Sequence, residues 1–193
     1  INALANHSRL AFVSKTPGRT QHLNYFRLVD GKYLVDLPGY GFAKAPEDVR
    51  GQWEGLLAPY LQQRSALRGL VLIMDSRHPL TELDQQMLDW FAPTGKPIHI
   101  LLSKADKLSW QTQCLTLREV DEAARRFSDR CSVQLFSSLK RTGIEAAENV
   151  LADWLEMSPV VAGPPPSQTR TEKIARPRQR AMGWSARQNA AKR

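Results

Sequence analysis

Short apolar runs separated by helical patterns constrain the fold of this chain more than any other feature. Gly69 to Asp75 and Pro97 to Leu102 are almost continuously apolar, and Val133 to Phe136 predicts a third, shorter strand. Strands that are apolar on both faces are typical of parallel sheets covered by helices. Strands alternating with helices predict βαβ units with right-handed crossovers. The expected fold is therefore α/β, with a mainly parallel sheet and helices on both faces.

Apolar residues at helical spacing fill the intervals between these strands. Thr81 is the expected N-cap of the first of these helices, because a threonine hydroxyl accepts a hydrogen bond from a free backbone amide. Carboxylates favour the N-terminal turn of a helix, and proline disrupts its interior. The predicted helices are Thr81 to Phe91, Ser109 to Phe127, Gly143 to Leu155 and one that opens at Glu47 and kinks or breaks near Pro59.

The amino-terminal part predicts an antiparallel hairpin. His22 to Val29 alternates and is aromatic, Asp30-Gly31 is a turn signal, and Lys32 to Leu37 is a second strand. We therefore expect one antiparallel edge strand beside the parallel sheet. Residues 1–7 have the pattern of the end of a helix, so we expect the sequence to begin inside a domain.

The net charge of the chain is concentrated at its carboxyl end. Residues 158–193 contain eight lysines and arginines against Glu172 alone, and so carry +7 of the total +8. This segment is rich in proline and poor in apolar residues, which predicts a disordered tail after a domain of residues 1–157. Trp184 lies within this segment. Its indole ring is a candidate for stacking on an RNA base, with the arginines of the tail binding the RNA phosphates. A solvated tail without a ligand is the alternative.

Several classes of protein are not expected from the composition. Cys114 and Cys131 have no metal-ligand spacing and suit a reduced, cytoplasmic setting, although a single disulfide stays open. The sequence has no apolar run of about 18 residues, so no membrane association is expected. It contains no Gly-x-Ser-x-Gly motif of an acyl-transfer nucleophile.

A carboxylate followed by a flexible glycine ends the second hairpin strand. Asp36-Leu37-Pro38-Gly39 suits a magnesium-nucleotide switch, in which the aspartate orders the metal's waters and the Gly39 amide faces a γ-phosphate. An ordinary turn is the alternative. The loop Gly18-Arg19-Thr20-Gln21-His22 lies upstream, and the Thr20 hydroxyl is a candidate magnesium ligand. The alternative for this loop is a plain surface segment.

Two further segments follow buried strands and suit recognition of a purine base. In Ser103-Lys104-Ala105-Asp106, the aspartate can accept hydrogen bonds from guanine N1 and the exocyclic amine, while the lysine stem covers the ring. Adenine presents the wrong donor pattern, so such a carboxylate selects guanine. In Phe136-Ser137-Ser138, a backbone amide is a candidate partner of guanine O6. Each segment alone is also compatible with a charged or polar turn.

In this order, the four segments resemble the guanine-nucleotide motifs G2 to G5 of translation-factor-type GTPases. The chain more closely resembles the EngB (YihA/YsxC) family of bacterial ribosome-assembly GTPases, over residues 1 to about 157. The resemblance implies a P-loop GTPase-type fold, GTP or GDP as ligand and Mg²⁺ as cofactor. It also implies a cytoplasmic monomer whose partner is the large ribosomal subunit or its assembly intermediates (rRNA and ribosomal proteins), with a link to cell division and septation. The segments that carry it are 16–21, 36–41, 74–81 with Asp84, 103–106 and 136–138.

The sequence departs from the family pattern at several positions. The phosphate-binding motif Gly-x-x-x-x-Gly-Lys-Ser, with the first strand before it, does not occur in the 193 residues. Tyr40 stands where Ras-type GTPases place a water-orienting glutamine, so we expect slow or partner-assisted hydrolysis and assign no catalytic residue. Ser103 replaces the usual Thr or Asn, and Phe42 the frequent Tyr. The alternatives to a GTPase switch are an RNA- or ribosome-binding module acting through the tail, and an inactive fragment.

Overall fold

Strands and helices alternate from residue 70 onward in the computed structural model, which describes residues 1–7, 10–11, 22–39, 55 and 57–157. The strands are β1 (Asn24–Val29), β2 (Lys32–Asp36), β3 (Leu70–Asp75), β4 (Ile98–Ser103) and β5 (Cys131–Leu135). The helices whose two ends both lie in the described residues are α1 (Glu82–Phe91), α2 (Trp110–Phe127) and α3 (Ile144–Trp154). Short 3-10 turns follow α1 and β4, at Ala92–Thr94 and Ala105–Lys107.

A parallel sheet of order β3-β4-β5 forms the centre of the described structure. Its register pairs Asp75 with Ser103, and Leu102 with Leu135. The carboxyl ends of the three strands therefore meet at one edge, where ligands of open α/β sheets bind. The predicted α/β class and the parallel pairing are confirmed.

Helices cover both faces of this sheet. On one face, alternate residues of β3 and β4 pack with residues of α1 and α2, including the fully buried Phe91 and Val120. On the other face, Leu101 of β4 packs with Ile144 and Ala147 of α3. Because β4 contributes to both clusters, nearly all of its residues are buried, as its continuous apolar sequence predicts.

The predicted hairpin is present and forms a two-stranded sheet of its own. β1 and β2 pair antiparallel around a turn in which Gly31 has a φ of 77°. Among the described strands, no ladder joins β2 to β3. The predicted hairpin is therefore present, and among the described strands it is not hydrogen-bonded to the parallel sheet.

The first seven residues close as the end of a helix. The His7 amide donates to the Asn2 carbonyl at 3.1 Å, and the Asn6 amide donates to the Ala3 carbonyl at 3.4 Å. Asn6 has a φ of 47°, so this pair of bonds is a Schellman motif with asparagine in the left-handed position. The structure thus agrees with the pattern of residues 1–7.

Two predictions of local structure need correction. Residues 57–63 are helical through Pro59, so the predicted break does not occur there, and the buried Leu57 and Leu61 anchor this segment to the core. The last strand begins at Cys131 instead of Val133, because Cys131 continues the ladder by pairing with Ile98. The predicted start at Glu47 lies outside the described residues. No helix of the described part is long and apolar enough to cross a membrane.

Candidate functional site

The loop after β4 is fixed to both neighbouring strands. The Ser103 hydroxyl donates to the Met74 carbonyl at 2.8 Å, and the Ala105 amide donates to the Phe136 carbonyl at 3.2 Å. Lys104 adopts the left-handed conformation with a φ of 58°, and the chain then turns through Ala105–Lys107. Serine at position 103 therefore retains the hydroxyl contact that holds this loop in place.

Asp106 is oriented by a serine from the next loop. The Ser137 hydroxyl donates to Asp106 Oδ1 at 2.5 Å, and Ser137 Oγ in turn accepts from the Lys140 amide at 3.1 Å. The hydrogen bond from Ser137 is the main cause that lowers the pKa of Asp106 below its usual range. The carboxylate is therefore ionised at neutral pH, with Oδ1 held and Oδ2 facing Lys107 Nζ at 3.8 Å. An oriented carboxylate of this kind is an acceptor for two in-plane N–H donors.

The loop after β5 is closed by its own backbone. Ser137 and Thr142 form two reciprocal amide–carbonyl bonds of 3.0 Å, and Gly143 then begins α3 with a φ of 76°. Ser138 is exposed at the tip of this loop. Phe136, a predicted site residue, is only 8% exposed and packs in the core, and its amide and carbonyl are both used in backbone bonds. Its side chain therefore packs within the protein, and its amide is already bonded to the Leu102 carbonyl.

Asp75 is the centre of an ion cluster at the end of β3. Arg77 donates to both of its carboxylate oxygens, from Nε at 2.9 Å and from a terminal nitrogen at 2.6 Å, and the Arg77 amide adds a bond of 3.0 Å. Lys104 Nζ donates to Asp75 Oδ2 at 2.9 Å. The hydrogen bonds from Arg77, with a smaller contribution from Lys104, hold the pKa of Asp75 well below its usual range. The cluster therefore carries one carboxylate and two cations, a net charge of +1.

The segment after β2 lies at the end of the hairpin. Asp36 is half-buried, Leu37 packs against the core, Pro38 is buried and Gly39 is exposed.

The structure brings together some of the predicted site residues and leaves others unconnected. Direct bonds join the loops after β3, β4 and β5 through Lys104, Asp106 and Ser137. His22 is exposed outside the strands. Gly18, Arg19, Thr20 and Gln21 lie outside the described residues, as do Tyr40 and the tail 158–193.

The Asp36 carboxylate suits a magnesium ion that would be held mainly by a nucleotide. The described residues contain no group of three or more His, Cys, Asp or Glu side chains that could form a metal cage. Mg²⁺ is usually bound by one or two carboxylates together with phosphates and water. A single half-buried aspartate at a strand end fits that kind of site.

Two functional contacts were not anticipated from the sequence. The orientation of Asp106 by Ser137 joins residues 31 positions apart, and the bond between Asp75 and Lys104 joins residues 29 positions apart. Only the ion pair between Asp75 and Arg77 could have been predicted from local sequence, because residues two positions apart at a strand end can pair across a tight turn.

Comparison with known proteins identifies the family. A family model described as 50S ribosome-binding GTPase matches residues 1–104. A probable GTP-binding protein EngB from Dechloromonas aromatica is 64% identical over 159 residues, which cover 81% of this chain and 72% of the relative. The protein of the same name from Neisseria meningitidis serogroup B is 59% identical over 167 residues, with coverage of 86% and 80%. The chain belongs to the EngB family.

Solved structures agree with this assignment at the level of the fold. The crystal structure of a probable GTP-binding protein engB aligns with a TM-score of 0.61 at 16% identity, covering 80% of this chain and 90% of that one. A bacterial selenocysteine-specific elongation factor, EF-Sec, aligns with a TM-score of 0.51 at 17% identity, covering 69% and 22%. The chain therefore has the α/β fold that its sequence pattern predicts, of the P-loop GTPase type that the family resemblance implies.

Proposed function

We propose that this EngB chain is a guanine-nucleotide-binding switch that takes GTP or GDP at the carboxyl ends of β3, β4 and β5. The observation that carries the proposal is the Asp106 carboxylate, ionised and oriented by Ser137 at 2.5 Å. Membership of a family whose relatives are named GTP-binding proteins supports the same ligand.

Recognition of the base follows from the chemistry of this edge. Guanine presents N1–H and a 2-amino group side by side, and the ionised Asp106 accepts both. Adenine has an acceptor at N1 and no 2-amino group, so it would leave the carboxylate without partners. An unmatched polar group in a built site weakens binding strongly. The exposed Ser138 amide is the proposed donor to guanine O6, and the Lys104 stem the proposed cover of the ring.

The switch function rests on the loops around Thr20 and Asp36. A bound Mg²⁺ would neutralise charge on the β- and γ-phosphates. The Thr20 hydroxyl is its proposed ligand, Asp36 the proposed holder of its waters and the Gly39 amide the proposed partner of the γ-phosphate. Gly39 is exposed, and no atom of the described residues lies within 4 Å of a Cβ added to it, which is compatible with the proposed change of conformation at this glycine.

Calorimetric titration with GDP and ADP tests the base specificity. The test uses two proteins: the 193-residue chain, and the same chain extended at its amino end by a strand and a Gly-x-x-x-x-Gly-Lys-Ser segment. The extended chain is expected to bind GDP and to discriminate against ADP, and Asp106→Ala to abolish that discrimination. Asp121→Ala, on the exposed face of α2, is the matched control. Equal affinities for GDP and ADP, or insensitivity to Asp106→Ala, would contradict the proposal.

The same titration measures how much the phosphate-binding motif contributes. Backbone amides and a lysine that cradle phosphates provide much of the affinity in such sites. The 193-residue chain alone is therefore expected to bind GTP more weakly than micromolar. Micromolar or tighter binding by this chain would show that the expectation is wrong.

We further propose that the switch acts in the cytoplasm, as a monomer, in assembly of the large ribosomal subunit, with the family's link to cell division and septation. The matching family model is described as ribosome-binding, and the +7 tail of residues 158–193 suits contact with rRNA phosphates. Binding to large subunits is measured by cosedimentation at several salt concentrations, with and without residues 158–193. If the tail makes the contact, its deletion weakens binding and flattens the salt dependence. Unchanged binding would assign the contact to the folded domain.

A further inference from the structure

Lys104 is held at both ends by the protein. Its backbone is fixed in the left-handed conformation at the start of the 3-10 turn, and its ammonium group donates to Asp75 at the end of the neighbouring strand. The four methylenes between these two points therefore span the gap between the loops after β3 and β4. A free lysine side chain would lose rotamer freedom on being ordered over a ligand, and a side chain already held at both ends loses less.

Asp75 is itself constrained. Arg77 binds both of its carboxylate oxygens, in the two-pronged geometry that fixes a carboxylate plane. Its side chain is 26% exposed, whereas those of Arg77 and Lys104 are 45% and 55% exposed. The carboxylate is thus the least exposed member of the cluster. Lys104 and Asp75 alone would be a neutral pair, and the additional positive charge of Arg77 gives the cluster a net charge of +1.

Two charged side chains of the loop after β4, Lys104 and Asp106, are therefore held by residues at the ends of the neighbouring strands. Ser137, after β5, holds Asp106, and Asp75, from β3, holds Lys104. We propose that Asp75, oriented by Arg77, is a positioning residue that pre-orders the Lys104 stem as a cover for the guanine ring. This inference rests on the proposed function, since it assigns a role within the same base-binding edge.

Guanosine is the probe of choice, because it lacks phosphates and isolates the contact with the base. Its affinity for the 193-residue chain is measured by NMR titration. The variants are Asp75→Asn, Lys104→Met and the double variant, with Asp121→Asn as the matched control for a surface aspartate paired with an arginine. Thermal unfolding of each variant verifies that it is folded.

Asp75→Asn is expected to weaken guanosine binding about threefold to fivefold, because the ion pair is partly exposed and its strength is modest. The loss should disappear in the Lys104→Met background, since Asp75 acts only through Lys104. Asp121→Asn should stay within about twofold of wild type. An Asp75→Asn affinity equal to wild type, or an equal loss in both backgrounds, would overturn the inference. Absence of guanosine binding by the wild type would instead refute the proposed base site, and the inference with it.

A measurement on the wild type avoids any dependence on the folding of the variants. The ¹⁵N-labelled ammonium group of Lys104, assigned by its absence from Lys104→Met, should give an NMR signal protected by Asp75. Addition of guanosine should shift this signal while it persists, because the bond to Asp75 is retained in the complex. Loss of the signal on guanosine binding would show that Lys104 leaves Asp75, and would overturn the inference.

Discussion

Gly143→Ala should destabilise the fold at the point where the loop after β5 enters α3. Gly143 has a φ of 76°, and a Cβ there would lie 2.3 Å from the Leu135 carbonyl oxygen and 2.7 Å from Gln134 Nε2. The carbonyl belongs to β5, and Gln134 Nε2 is already bonded to the Gly143 carbonyl at 2.6 Å. The Leu135 carbonyl cannot move without disturbing the edge of the sheet, whereas the Gln134 side chain can move only by giving up its bond to the Gly143 carbonyl.

The size of the effect follows from three contributions. A left-handed backbone with a side chain costs about 1 to 2 kcal/mol, and overpacking against a fixed neighbour costs about 1 to 3 kcal/mol. Replacing glycine also restricts the unfolded chain, which offsets about 0.4 to 1 kcal/mol. The expected loss is therefore about 1 to 4.6 kcal/mol. Gly31→Ala is the control, since Gly31 has a φ of 77° but no atom of the described residues within 4 Å of the added Cβ. It should lose about 0 to 1.6 kcal/mol.

Urea unfolding followed by circular dichroism measures both variants. The two glycines share a backbone conformation and differ in crowding, so the difference between the variants reports the contact with Leu135. We expect Gly143→Ala to be the less stable by about 1 to 3 kcal/mol. Equal stabilities would refute this reasoning, because they would mean that the loop relaxes around the new methyl group.

Three further predictions concern titration, capping and thiol reactivity. Burial lowers the pKa of His99, so its contribution to stability is present above about pH 6.5 and is lost as the pH falls through its folded-state pKa. His99→Gln should therefore flatten the decline of the melting temperature between pH 7 and pH 5, whereas the exposed His78→Gln should not. Thr81→Ala removes the capping box of α1 and should lower the free energy of unfolding by about 1 kcal/mol, measured by urea unfolding. Iodoacetamide should modify the exposed Cys114 faster than Cys131, because burial raises the pKa of the Cys131 thiol; equal rates by mass spectrometry would contradict this.

Much of the architecture could be predicted because it depends on local patterns. The apolar runs at 69–75 and 97–102 became β3 and β4, and Thr81 and Ser109 became N-caps. The predicted helix break at Pro59 was wrong because tertiary packing overrides the local tendency of proline to end a helix. Pro59 lies within a helical segment because buried leucines on either side of it hold that segment on the core.

Part of the candidate site was also predictable, because parallel strands place their carboxyl ends at one edge. Asp75, Lys104, Asp106 and Ser137 all lie at or directly after the ends of parallel strands, where that rule expects a ligand to bind. It did not show which side chains bind each other. Phe136, for example, was a site candidate by position and is a core residue by packing.

The amino-acid sequence by itself determined the family, the order of strands and helices, and the residue types at the ends of the strands. These properties depend on periodicity and on motifs along the chain. Only the tertiary structure decided that Ser137 orients Asp106 and that Asp75 holds Lys104. Each of these bonds joins residues about thirty positions apart, and their distance is set by how β3, β4 and β5 align in the sheet.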